Sequence, residues 1–254
     1  CAAAHCKRAK RRELETAAID VEHSDDFGRA VSGMSAARQL SSTDPFLRNA
    51  ARILCEQLPA DDWFGQAGDR DSPTALVALL HNDGPRHRNT VLLALGRIDW
   101  AKLDESACIA YLRVAQLALL RGGDFDAGTL GSLRRQFAAL YPRGARDADS
   151  ELVRLLAYLD EPAILAPSLA VLASDATQEE KIHYARCASI VKSGWSPETR
   201  RQFLERVDAL RAKAVGGASL TKFVDEIRAR FVDGLAPEER SALGSLVSSP
   251  NTKS

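Results

Sequence analysis

The sequence contains no Cys-x-x-Cys. Its five cysteines, Cys1, Cys6, Cys55, Cys108 and Cys187, are odd in number and widely separated. Zinc-ribbon, thioredoxin-like and covalent c-haem spacings are therefore absent from it. It also lacks an apolar run approaching the ~18–20 residues of a membrane span. Charge of neither sign is in excess, with 34 basic and 34 acidic side chains. A zero balance creates no field that draws the whole molecule onto DNA, RNA or an anionic membrane. No window of four to eight residues alternates at period two, so strands are not expected. Gly216-Gly217 follows no strand and reads as a helix break rather than a phosphate-cradling loop. No secretory leader is visible and the first residue is Cys1; the expectation is a fragment or a processed piece of a longer protein.

What is present is an ordinary globular balance, 45% hydrophobic and 27% charged over 254 residues, with one short pattern written twice. Asp44-Pro45-Phe46-Leu47-Arg48-Asn49-Ala50-Ala51-Arg52-Ile53-Leu54 comes first. Asp83-Gly84-Pro85, followed by Arg88-Asn89-Thr90-Val91-Leu92-Leu93-Ala94-Leu95-Gly96, comes second. Arg48 and Asn49 map onto Arg88 and Asn89, a shift of 40 positions (88 − 48). Helix-pair repeats of the HEAT or armadillo kind have periods of roughly 40–47 residues. Asp44 suits a helix cap and Pro45 the first helical position, where its missing N–H costs nothing. Leu47, Ala50, Ala51 and Leu54 then share one helix face. In HEAT repeats the arginine after the inter-helix turn usually reaches an acidic side chain of an adjacent repeat, and Arg48 and Arg88 resemble such ladder residues.

The rest of the chain reads the same way. Residues 1–26 hold a basic segment, Lys7-Arg8-Ala9-Lys10-Arg11-Arg12, and a first helix; 27–247 form the repeat region; 248–254 are expected to be a disordered tail. Pro59 to Pro73 reads as a loop with a short helical turn anchored by Trp63 and Phe64. Helices are expected over Ala107–Arg121, Leu130–Leu140, Glu151–Leu159, Ala163–Ala173, Pro197–Lys213 and Leu220–Phe231. Thr177-Gln178-Glu179-Glu180 has the spacing of a capping box. That assigns Glu180 to the cap and Glu179 to the helix dipole rather than to acid–base chemistry. The fold class is all-α, a right-handed α-solenoid of antiparallel helix pairs.

No catalytic motif is recognisable, and few residues suggest chemistry. Cys55, Cys108 and Cys187 lie in apolar helical runs, where a thiol acts as a small hydrophobe. Cys1, His5 and Cys6 are three soft ligands without a fourth. His81 and His87 flank the second turn and read as surface residues. Trp63, Trp100 and Trp195 could serve as interface anchors, since aromatics dominate interface energies; packing between repeats is the alternative use.

From Tyr141 onward the motifs are more specific. Leu140-Tyr141-Pro142, Glu151 to Leu159, Thr177 to Ala185, Lys192-Ser193-Gly194-Trp195-Ser196-Pro197-Glu198 and Gly216-Gly217-Ala218-Ser219 occur in order. With the Asp44 motif they resemble the HEAT-repeat region of large bacterial exported proteins. In that family the region lies between a propeller-like, PQQ-dependent sugar-dehydrogenase-like domain and a c-type cytochrome domain. Where the family often has Gly-Gly-Asn-Ser-Phe, this chain has Gly-Gly-Ala-Ser-Leu, and the Cys-x-x-Cys-His of haem attachment does not occur. The resemblance implies a non-catalytic scaffold that spaces or docks protein modules of a periplasmic or cell-surface redox protein, with haem c in an adjacent domain and no cofactor in this chain. His183 is the histidine of the family motif and is expected to be a structural hydrogen-bonding residue. Two other readings are a HEAT-type DNA-glycosylase-like enzyme with a basic groove, and weak haem or metal binding through Cys1, His5 and Cys6.

Overall fold

A computed structural model describes residues 26–247, and every regular element among them is helical. The basic run, Cys1, His5, Cys6 and the tail from 248 lie outside the described residues. Two compact units divide the chain after Phe125.

The first unit holds α1 (Asp26–Gln39), α2 (Pro45–Gln57), α3 (Pro73–Arg97) and α4 (Glu105–Arg121). Asp44 caps α2 as expected: its Oδ1 accepts from Phe46 N at 2.9 Å and Leu47 N at 3.4 Å. Leu47, Ala51, Leu54 and Cys55 form the buried face. Ser72 caps α3 in the same manner, its Oγ accepting from Ala75 N. Asp83 breaks α3 into two arms, with φ −150° and ψ 89°. Between α2 and α3, the polar loop is pinned by Trp63, which is fully buried between two single 3₁₀ turns. Consecutive helices pack on one another throughout this unit.

A helix end leaves carbonyls without intrahelical donors, and here a neighbouring helix supplies them. Asn82 Nδ2 donates to Leu58 O at 2.6 Å, just past the end of α2. Arg121 reaches back from α4 to Leu80 O at 3.1 Å and His81 O at 3.4 Å, where the first arm of α3 ends. Arg88 then donates to Gly122 O and Asp124 O beyond α4. The chains approach so closely that a Cβ on buried Gly84 would lie 2.2 Å from Arg121 O.

The second unit holds α5 (Ala127–Ala138), α6 (Arg146–Tyr158), α7 (Leu165–Ala173), α8 (Gln178–Ala188), α9 (Pro197–Lys213), α10 (Ala218–Asp233) and α11 (Pro237–Leu243). Besides sequential neighbours, α6 packs on α8, and α7 on α9. The core runs through Leu152, Leu156, Ile164, Ala185, Phe203, Leu204 and Val224, all buried. Asp160, in the left-handed region at φ 55°, ends the turn after α6. Its carboxylate accepts from Lys192 N at 2.6 Å and Ser193 N at 3.2 Å, in the turn between α8 and α9. In the same contact Gly194, at φ 79°, faces Pro162: a Cβ there would lie 2.2 Å from the proline Cβ. The first unit repeats this device, with Gly123, at φ 78°, set against Pro85. Sequence bounds and observed helices agree closely for α9; α6 begins five residues earlier than expected, at Arg146.

Gly84→Ala is expected to destabilise the protein by about 2–3 kcal/mol, because the clash is with backbone that cannot rotate away. Gly96, with nothing within 4 Å of an added Cβ, is the control. Gly96→Ala should be neutral or stabilising by about 0.5–1 kcal/mol through helix propensity. Guanidinium unfolding midpoints of the two variants decide between these outcomes.

Candidate functional site

In the second unit a cavity of about 390 Å³ combines charged and apolar lining. It forms where the α8–α9 turn meets the end of α10 and the start of α11. Trp195 is fixed first: its indole N–H donates to Val191 O at 2.9 Å. Its ring packs edge-on against Phe203 and Phe231, with centroids 5.4 and 4.9 Å away. Such edge-to-face geometry suits the aromatic quadrupoles and makes a rigid wall. Arg200, one turn into α9, bonds through Nη2 to Glu239 Oε1 on α11. The other oxygen of Glu239 accepts from Ala236 N at 2.9 Å, closing the start of α11. Lys192, Arg230, Ile190 and Leu235 also line it.

A second polar cluster lies where α8 meets α6. His183 Nε2 is 2.9 Å from Ser150 O. Because a carbonyl can only accept, Nε2 must carry the proton. Cys187 Sγ lies 3.8 Å from the same nitrogen. The pair has the composition of a thiol–imidazole dyad but not its electrostatics. Burial pushes the Cys187 thiol up to about 12 and lowers His183 below its ordinary 6.5. A thiolate–imidazolium pair needs both shifts reversed, so at neutral pH this is a neutral thiol beside a neutral imidazole. Cys55 is likewise raised to about 12, by burial and then by the Glu56 charge. Asp149, buried in the first turn of α6, accepts from Arg143 N at 2.7 Å and Gly144 N at 3.0 Å. It shapes the loop before α6.

The sequence-nominated residues divide into groups. Asp44 caps α2, and Pro45 occupies its first helical position. His183 hydrogen-bonds to Ser150 O. Arg48 and Arg88 depart from the ladder expectation: their partners are backbone carbonyls, Ser42 O for Arg48 and Gly122 O and Asp124 O for Arg88. The turns present unsatisfied carbonyls within reach of these guanidiniums, and Arg88 also covers the Phe125 ring at 5.4 Å. Thr177 Oγ1 does accept from Glu180 N, at 3.3 Å. The Glu180 carboxylate, however, turns away to Arg146 at 3.1 Å, so the reciprocal half of the box is not made by it. A complete reciprocal cap occurs instead at Ser196 and Thr199, with bonds of 3.1 and 2.9 Å. Trp63 and Trp100 are buried, 0% and 6% exposed, and are core rather than interface anchors. Trp195, half-buried on the cavity wall, is the tryptophan that a ligand can reach. His81 and His87 are half-buried rather than surface residues.

Arg200, Glu239, Lys192 and Arg230 were not singled out in the sequence as a site, since 39 positions separate the bonded pair. Of the four, only Lys192 lies in a motif noted there, the Lys192–Glu198 run. Among the described residues no group of three or more His, Cys, Asp or Glu is arranged to hold a metal ion, and no helix is long and apolar enough to cross a membrane. Comparison of the chain with protein-family models, with curated proteins and with solved structures finds no match.

A histidine lowered in the folded state binds fewer protons there than in the unfolded chain. Its contribution is therefore complete above 6.5 and is lost as pH falls through the lowered folded value. Stability is expected to decline from pH 7 to 5. His183→Leu should cost about 1–2 kcal/mol at pH 7 through the lost hydrogen bond and flatten that decline. Urea unfolding at the two pH values checks it; an unchanged slope in the variant would refute the assignment.

Proposed function

We propose that the chain is a non-catalytic scaffold, a right-handed α-solenoid of HEAT-like antiparallel helix pairs that spaces or docks protein modules. The observation that carries this reading is the repeated turn-on-turn contact. In each unit, a proline in one inter-helix turn meets a left-handed glycine in a following one: Pro85 with Gly123, and Pro162 with Gly194. Packing of α6 on α8 and of α7 on α9 adds the next-but-one contacts that stacked hairpins make. Repeats that contact only their neighbours leave long surfaces free for partners. Electrostatics supports docking over nucleic-acid chemistry, since the arginines are largely taken up locally. Arg228 with Asp208, Arg211 with Asp225, Arg97 with Asp71 and Arg200 with Glu239 are ion pairs. By its resemblance, the parent is a periplasmic or cell-surface redox protein with haem c in a neighbouring domain.

The runner-up, a glycosylase-like enzyme on the same kind of frame, requires an electropositive groove. Titration with duplex DNA at 50 and 200 mM salt separates the two: the scaffold reading expects no tight binding at either concentration. Tight binding that collapses at the higher salt would overturn it. Solution scattering tests the stacking itself. A compact particle with a radius of gyration of about 18 Å, the value for a globule of 254 residues, would refute the solenoid, which is expected to be larger.

A further inference from the structure

The cavity beside Trp195 carries an asymmetry that a scaffold does not require. One wall is apolar, built from Ile190, Val191, Trp195, Phe231 and Leu235. Against it stand three cationic side chains, Lys192, Arg200 and Arg230, and a single carboxylate, Glu239. That carboxylate is already saturated, with one oxygen on Arg200 and the other on the backbone of Ala236. A guanidinium has five N–H donors; the Arg200 side chain makes its one bond to Glu239, and its buried Nε has no partner. Neither the Lys192 ammonium nor the Arg230 guanidinium is ion-paired among the described residues. The neighbouring Asp160 carboxylate accepts from the backbone N–H groups of Lys192 and Ser193 and makes no ion pair with the Lys192 ammonium. The lining therefore presents two uncompensated cations over an aromatic and aliphatic wall.

We infer that this cavity binds a small organic monocarboxylate with an apolar body, of the arylalkanoate size. The only carboxylate of the lining is already bonded on both oxygens; the negative charge that would answer Lys192 and Arg230 is the one a ligand brings. The apolar wall accounts for the rest of the molecule. An inorganic anion would leave Trp195, Phe231 and Leu235 uncovered, and a neutral hydrocarbon would leave the cations unanswered. The volume, about 390 Å³, lies within the roughly 300–1,000 Å³ of small-molecule sites. Charge-assisted bonds from arginine orient such a carboxylate, while the hydrogen-bonded indole holds the wall in place. The inference concerns this cavity alone and stands whether or not the helix pairs form a solenoid.

The test is a titration of the full chain with 3-phenylpropionate, followed by calorimetry and by tryptophan emission. Trp63 and Trp100 are buried in the other unit, so a Trp195→Phe variant identifies the reporting indole. Saturable binding is expected, with the neutral isostere 3-phenylpropionamide and inorganic phosphate each at least about tenfold weaker, tenfold being about 1.4 kcal/mol. The double variant Lys192→Gln, Arg230→Gln alters exposed side chains only, so its melting temperature should be unchanged while affinity falls roughly tenfold. Raising the salt should weaken binding to the unaltered chain. No saturable binding of 3-phenylpropionate, equal binding of the amide, or full affinity in the double variant would each overturn the inference.

Discussion

The structure depends on how the ends of its helices are satisfied. Each α-helix finishes with carbonyls that its own backbone cannot reach, and leaving such groups buried without donors costs about 1–3 kcal/mol apiece. In the first unit the donors come from neighbouring helices, following or preceding. Asn82 serves the end of α2, Arg121 the first arm of α3, and Arg88 the end of α4. In the second unit Arg240 similarly serves Leu235 O and Asp233 O beyond α10. A bond to a charged donor is stronger than a neutral one. It also fixes the offset between neighbours, because the donor reaches only one turn of the partner. Small residues then let the backbones close up. Gly84 against the Arg121 backbone is one such case, where any side chain would prop the turn away.

The same arrangement occupies many of the arginines locally. Guanidiniums that cap carbonyls or pair with Asp208, Asp225, Asp71 and Glu239 act over a few ångströms. Exposed pairs such as Arg86–Asp61 contribute little to stability. Arg228, almost fully buried, is different in kind: it bonds Asp208 and also Leu246 O, so it ties α9, α10 and the segment after α11 together. Beside Trp195, by contrast, Lys192 and Arg230 border apolar surface without an ion pair, and the one carboxylate there is already taken by Arg200 and Ala236 N.

Thiols and imidazoles follow burial rather than reactivity. Cys55 and Cys187 are held protonated by their apolar surroundings. His183 is held neutral, its ring N–H directed to Ser150 O. The apparent dyad of His183 and Cys187 is thus a contact within a packed helix pair, in which α8 is registered on α6.

Local chemistry was legible in the sequence. Asp44-Pro45 and Ser196-Pro197 mark helix starts, apolar spacing selects the buried face of α2, and Gly122-Gly123 ends α4, because these depend on residues within one or two turns. The all-helical class follows from the same periodicities. Partner choice was not legible. Glu180 has the cap spacing, yet its carboxylate goes to Arg146 on another helix; Arg48 and Arg88 find carbonyls rather than acids; Trp63 goes to the core while Trp195 lines a cavity. Nor does spacing reveal that Arg200 and Glu239 meet across 39 positions. Periodicity determines which face of a helix turns inward. Which neighbour that face meets is decided only when the helices pack, since a long polar side chain takes whichever opposite charge or vacant carbonyl the packing brings within about 3 Å.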